Sequence, residues 1–379
     1  MSLAELTLLD RFRGLLLGTA MGDSLGLPME NLSPGRAKRL FPGNLHHSLI
    51  FGYGIVSDDT DHTIFVSQAL MGHPEDPAAF ARDLAWSLRW WLMTLPPGVG
   101  LATLRSGIKL WMGFNPENSG VYSAGNGAAM RSAVIGAFFA SDQQTRRLYL
   151  RAATRITHTD PRALIGAVAV AELAAWVVRN HPERAPDLDE WQLVLEQAAG
   201  SADPIDVELS SGYPPGDFSK ARQEWLELVT RMVSARKAGL SVTEFAAELG
   251  QQNGVSGFVY RTVPVAVYAW HRLFRDYAAT IEQTISCGGD TDTSAAIAGA
   301  LAWVTVGESG IPKIWLNGLF DWPRSINHSR IIAQRMVQCL EDKRAQPPVR
   351  YFFPGLLIRN LIALGAIFGH VGRRLLPPY

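Results

Sequence analysis

Two short runs of oxygen-bearing side chains stand out in this chain: Ser57-Asp58-Asp59 and Gly288-Gly289-Asp290-Thr291-Asp292-Thr293. Each precedes an apolar, Ala-rich stretch that reads as a helix. A single Asp before a helix is ordinary, because it caps free N–H groups and complements the helix dipole. Capping accounts for one carboxylate per helix. It does not account for Asp58 beside Asp59, nor for Asp290 and Asp292 bracketing a threonine after two glycines. Adjacent carboxylates repel unless a cation or a proton lies between them. Paired glycines open backbone geometries that a Cβ blocks. Carboxylate and hydroxyl oxygens without sulfur suit a hard cation, Mg²⁺ or Mn²⁺. The two runs therefore predict a shared metal site and metal-assisted chemistry on an oxygen-rich substrate.

Other Asp-rich sites fit less well. An EF-hand loop counted from Asp290 needs Gly at its sixth position and Glu at its twelfth, where this chain has Ala295 and Leu301. A phosphoaspartate site follows an apolar strand, and Thr284–Gly289 makes a weak one. The Asp-rich helix of a prenyl-diphosphate synthase carries a third Asp where His62 or Thr63 stands here. Three further motifs are weaker. Gly22–Glu30 closes a first helical stretch. The Gly-rich turn Ser123–Arg131 precedes another helix and offers backbone N–H groups to a phosphate. In Thr157-His158-Thr159-Asp160-Pro161, Asp160 reads as an N-cap and Pro161 as the first helical residue. A histidine such as His158 is, taken alone, more often structural than a ligand.

The elements that must position these residues are helical. Apolar residues recur at three- and four-residue spacing over 78–93, 128–140, 161–180, 218–238, 258–273, 293–306 and 325–342. Alternating strand patterns are nearly absent. With 379 residues and 47% hydrophobic content, the chain can bury a sizeable core. Basic and acidic residues balance at 35 each, and no like-charge block reads as a nucleic-acid arm. Two cysteines, Cys287 and Cys339, are too few for a disulfide framework, and the first ten residues lack a signal-peptide pattern. A cytoplasmic location is the expectation. Asn31–Val56 and Ser201–Asp217, rich in Pro and Gly, read as surface excursions, the first leading into the Ser57 cluster. The segment 351–379 is strongly apolar but interrupted by Arg359, Asn360 and His370. It reads as a helix packed on the body or on a second subunit. The sharper alternative is a helix lying at a membrane surface or docking a partner.

Taken in order, the five motifs resemble the ADP-ribosylglycohydrolase family, of the dinitrogenase-reductase-activating and ADP-ribosyl-acceptor hydrolase type. The resemblance runs from about Arg11 to about Leu319 and is strongest around Asp290, the Ala-rich run after it and Gly310-Ile311-Pro312. It implies an all-α fold: one compact multi-helix domain over residues 1–345 with a two-metal cleft, then the apolar tail 346–379. By motif matching, Ser57, Asp58 and Asp59 would hold one Mg²⁺ or Mn²⁺, Asp290 and Thr293 a second, and Asp292 would bridge. The family commonly has Thr where Ser57 stands, and Ser keeps the hydroxyl. Glu30 and Asp292 are the implied catalytic residues, with Asp23 behind the ligands. Ser123, Gly125, Asn126 and Gly127 would cradle diphosphate and ribose, with His158, Gly288 and Gly289 beside the substrate. Phe258, Tyr260 or a Trp would stack on adenine. The implied substrate is ADP-ribose on a protein side chain, arginine first, or a free ADP-ribosyl metabolite. A different class of function remains open: a glycohydrolase-like protein that inhibits an ADP-ribosyltransferase by occlusion.

Overall fold

The computed structural model describes residues 6–200, 215–320 and 322–374. Among these residues the chain is all-α, and its only β pairing consists of isolated bridges. Helices Pro77–Leu92, Pro161–Asn180, Val259–Arg272, Thr291–Val306 and Ile326–Asp342 lie where the periodicity places them. Pro215–Lys237 begins inside the end of the expected Ser201–Asp217 excursion, the rest of which lies outside the described residues. The 128–140 stretch departs from expectation. It splits into a 3₁₀ turn, Asn126–Arg131, and a short helix, Ala133–Phe138. The break falls at Arg131, whose buried guanidinium donates to Ala153 O at 2.9 Å and Thr157 Oγ1 at 2.6 Å. It ties the chain to a neighbouring element rather than to its own preceding turn.

Helix starts follow local chemistry. Thr7 and Ser241 form capping boxes, and Asp76, Asp142, Asp160, Asp187 and Asp276 accept first-turn N–H groups. At the centre lies Pro161–Asn180, apolar on every face and buried nearly throughout.

The first helix, Leu8–Gly26, packs tightly on Thr291–Val306. Gly14, Gly18, Gly22 and Gly26, spaced by four, make that approach possible. A Cβ built on Gly22 would lie 2.1 Å from Ala295 O, and one on Gly26 would lie 2.5 Å from Thr291 O. This backbone-to-backbone contact brings Asp23 and Glu30 to the start of the helix that carries Asp292.

Asn31–Val56 is not a free excursion. It contains the helix Pro34–Leu40 and buries His47, Leu49, Ile55 and Val56. Buried His47 pairs with Ser24 Oγ at 3.0 Å and Trp315 O at 2.8 Å. A helix over Pro354–Arg374 packs on this segment, with Ala363 against Leu49 and Ile55.

Candidate metal and substrate cleft

Ser57 and Asp290 both occupy N-cap positions, of helices Asp58–Gly72 and Thr291–Val306. Neither side chain accepts a first-turn N–H. Capping is therefore not what these two residues do, in contrast to the five capping aspartates elsewhere. The two clusters meet through Asp59 and Thr293. Asp59 Oδ2 accepts from Ser57 Oγ at 3.3 Å and from Thr293 Oγ1 at 3.2 Å, which joins residues 234 positions apart. Asp290 Oδ2 accepts from Asn126 Nδ2 at 2.6 Å, and that amide also donates to Thr262 Oγ1 at 3.0 Å.

The start of the Asp58–Gly72 helix is fixed from both sides. Asp23 accepts from Ser57 N at 2.9 Å, Thr60 N at 3.2 Å and Thr60 Oγ1 at 2.5 Å. Burial raises the Asp23 pKa to about 6 against the pull of these donors. Behind the Ser57–Asp59 cluster, Asp61 accepts from Trp91 Nε1 at 2.6 Å, from Arg359 Nη2 at 2.9 Å and from Arg324. Burial works against its charge, but Arg324 and Arg359 outweigh it and hold the carboxyl below its ordinary range. Arg359 also donates to Val56 O at 2.7 Å, one residue before the cluster. At the turn facing the cluster, Gly98 has φ +80°, and a Cβ there would lie 2.6 Å from Asp58 Oδ1.

Asp58, Asp59 and Asp292 are pushed well above the usual carboxylate range, first by burial and then by one another and by Glu30, Asp23 and Asp290. The protein alone does not supply enough positive charge for them. Asp59 Oδ1 and Asp292 Oδ1 are buried with no hydrogen-bond partner. Two orphaned carboxylate oxygens beside hydroxyls, in a cluster that resists ionisation, fit hard divalent cations. Among the described residues, no three His, Cys, Asp or Glu side chains converge closely enough to hold an ion as they stand. The donor set mixes carboxylates with Ser57 and Thr293 hydroxyls, and the carboxylates repel while unneutralised.

The cluster forms the floor of a cleft of about 480 Å³, lined by Glu30, Asp58, Ser123, Gly125, Asn126, Gly127, His158, Gly289, Asp290, Asp292 and Thr293. A larger groove of about 1050 Å³, between Glu308 and Arg330, contains none of the predicted site residues. His158 lies against the Gly-rich turn: a Cβ on Gly125 would sit 3.1 Å from its Nε2 and one on Gly127 3.0 Å from its Cε1. Its Nδ1 pairs with Thr157 Oγ1 at 2.8 Å, and Arg131 donates to that same hydroxyl. Nε2 is the ring nitrogen that faces the Gly125 side of the turn. Burial and the nearby Arg131 lower the His158 pKa to about 3, so the ring is neutral near pH 7.

Gly289 lines the cleft, and both Gly288 and Gly289 use their backbone amides within the protein. Gly288 N donates to Ile285 O at 2.9 Å and Gly289 N to Leu32 O at 2.7 Å, so neither amide is open to a ligand. Both residues have positive φ, 67° and 79°. A Cβ on Gly289 would lie 2.1 Å from Val255 O. The pair joins the turn at Asn31–Leu32 and Val255 to the head of the Asp290 helix. Of the aromatics considered for adenine, Tyr260 is buried and bonded to Ala221 O at 2.8 Å, which removes it.

The sequence profile of the ADP-ribosylglycohydrolase family matches residues 4–346. The chain belongs to the ADP-ribosylglycohydrolase family. It is 26% identical over 344 residues to ADP-ribosylhydrolase ARH3 of Mus musculus, covering 81% of this chain and 86% of that one. It is 24% identical over 319 residues to the ADP-ribosyl-[dinitrogen reductase] glycohydrolase of Rhodospirillum rubrum, covering 82% and 90%. A solved structure described as an ADP-ribosylglycohydrolase-related protein complex shares the fold, with TM-score 0.60 and 21% identity over 87% of this chain and 98% of that one. As a family member, the protein is a glycosidic-bond hydrolase acting on ADP-ribosyl groups. Within this ADP-ribosylglycohydrolase, sequence reasoning missed Arg131, Gly98 and the Asp61–Arg324–Arg359 group. Pro96-Pro97-Gly98 carried a turn signal, but the others join positions whose proximity only the fold creates.

Proposed function

We propose that this ADP-ribosylglycohydrolase uses two Mg²⁺ or Mn²⁺ ions to remove ADP-ribose from modified protein side chains, arginine first, by cleaving the C1″ glycosidic bond. The observation that carries the reading is the meeting of two uncapped helix starts, with a buried, partnerless oxygen on Asp59 and another on Asp292. Ser57, Asp58 and Asp59 would hold one ion, Asp290 and Thr293 the other, and Asp292 would bridge. When bound, such ions supply positive charge that orients sugar hydroxyls and acidifies water.

The chain's own groups do the rest. Asn126 holds Asp290 in place through its amide. His158 would present its neutral ring from the cleft wall to a ribose or phosphate oxygen without bringing a charge. Glu30 stands on the cleft wall, close enough to Asp58 and Asp292 to raise both their pKa values. It would take a proton from water as positive charge builds on the ribose. Occlusion of a transferase would require none of these orphaned oxygens.

The test is release of free ADP-ribose from arginine-, serine- and ester-linked conjugates, with Mg²⁺, with Mn²⁺ and with chelator. Metal-dependent release from the arginine conjugate is expected. Full activity in chelator overturns the metal role, and release from another linkage alone overturns the acceptor.

A further inference from the structure

The outward face of the Pro354–Arg374 helix is unusual for a protein in water. Its exposed positions from Leu357 to Gly372 are Leu357, Ile358, Leu361, Ile362, Gly365, Phe368, Gly369, Val371 and Gly372, with no polar side chain among them. Ile358, Leu361, Ile362 and Phe368 each leave half or more of their surface open, from 51% to 69%. A surface helix ordinarily turns its polar side outward. Here the polar residues point inward: Arg359 reaches Asp61 and Val56 O, and Asn360 reaches Thr94 O at 2.9 Å. The helix is long and apolar enough to cross a membrane, but Arg359 and Asn360 fasten it sideways to the body. It lies along the protein with its apolar face open, a patch that extends beyond the helix. Exposed Trp322 and Phe352 pack together at 6.2 Å beside Gly355. Phe51, 98% exposed, tips the turn whose flank packs under Ala363.

Charge decides between occupants. The whole chain is neutral, yet there is no Asp or Glu between Asn31 and Val56, nor anywhere from Lys343 to Tyr379. These two segments are neighbours, joined by the Phe41–His370 stack and by a bond between His370 and Leu49 O at 2.9 Å. In sequence, these two carboxylate-free segments carry Arg36, Lys38 and Arg39, then Lys343, Arg344, Arg350, Arg373 and Arg374. A second copy seated on this face would set these basic segments, without a single carboxylate, against the same segments of its partner. An anionic bilayer offers an apolar layer for Leu361 and Phe368 and phosphates for the arginines.

We propose that this face docks the enzyme, in the plane of the membrane, on an anionic lipid surface. The inference is independent of the metal and acceptor assignments above. The test is sedimentation of the full chain with phosphatidylcholine vesicles, with and without phosphatidylglycerol, at low and high salt. The enzyme is expected to sediment with the mixed vesicles, to be released by salt, and to stay in solution with phosphatidylcholine alone. Leu361→Glu, or independently Phe368→Glu, is expected to lower the bound fraction about tenfold while leaving hydrolase activity and Tm unchanged. Failure of the unaltered chain to bind mixed vesicles overturns the proposal. So does binding that both substitutions leave intact. Lipid-free dimerisation that Leu361→Glu abolishes also overturns it and gives the face to a second copy.

Discussion

Asp292 and Asp59 repel each other and their neighbours until a proton or a cation intervenes, and this makes single-residue changes separable. Asp292→Asn removes the carboxylate proposed to bridge the ions and is expected to lower kcat by ~100-fold or more. The same change removes one of several mutually repelling buried charges, so the metal-free protein should melt no lower than the unaltered one. Parallel assays and melting curves in chelator check both halves, and a fall in metal-free Tm would mean that Asp292 is instead structurally paired. His158→Ala is expected to raise KM while leaving the acid limb of the pH profile in place, because a group titrating at about 3 does not switch in the assay range. The doubled carboxylates were legible in the sequence because their spacing defeats the capping explanation locally. The buried setting of His158 was not, because it depends on Arg131 reaching Thr157 across the fold.

The contact between the Leu8–Gly26 and Thr291–Val306 helices sets the distance between Glu30 and Asp292. Gly22→Val pushes a side chain into Ala295 O. It is expected to cost ~1–3 kcal/mol or more by overpacking, and to reduce activity at temperatures where the protein remains folded. Urea melts together with kcat measured on the folded fraction separate the two effects. Periodicity revealed both helices but not the split of 128–140, since an apolar repeat does not record where a buried guanidinium pulls the chain inward. The four-residue spacing of Gly14, Gly18, Gly22 and Gly26 was visible in the sequence. Its partner was not.

Across the whole molecule, two sets of buried groups oppose each other with pH. His271 and His328, held neutral by burial, have pKa values near 4. The unfolded chain therefore takes up protons first, and stability falls as pH drops from ~6.5 towards 4. Asp58, Asp59 and Asp292 are raised, so their contribution is present below ~4 and is lost as pH climbs through the folded-state pKa values. The metal-free enzyme should lose Tm at both ends, and Mg²⁺ or Mn²⁺ should restore the alkaline side. The metal-induced rise in Tm is expected to be larger at pH 8 than at pH 5. A metal shift independent of pH would place the ions away from these carboxylates.

The Asp61 group carries a consequence for the order of synthesis. Asp61 leaves the ribosome long before Arg324, and Arg359 follows later still. Until both arrive, the carboxylate that backs the Ser57–Asp59 cluster has no cation to be buried with. The catalytic floor therefore closes last, by a segment beyond the family-matched region, and a nascent chain stopped before residue 359 should be inert although every metal-ligand candidate has been made.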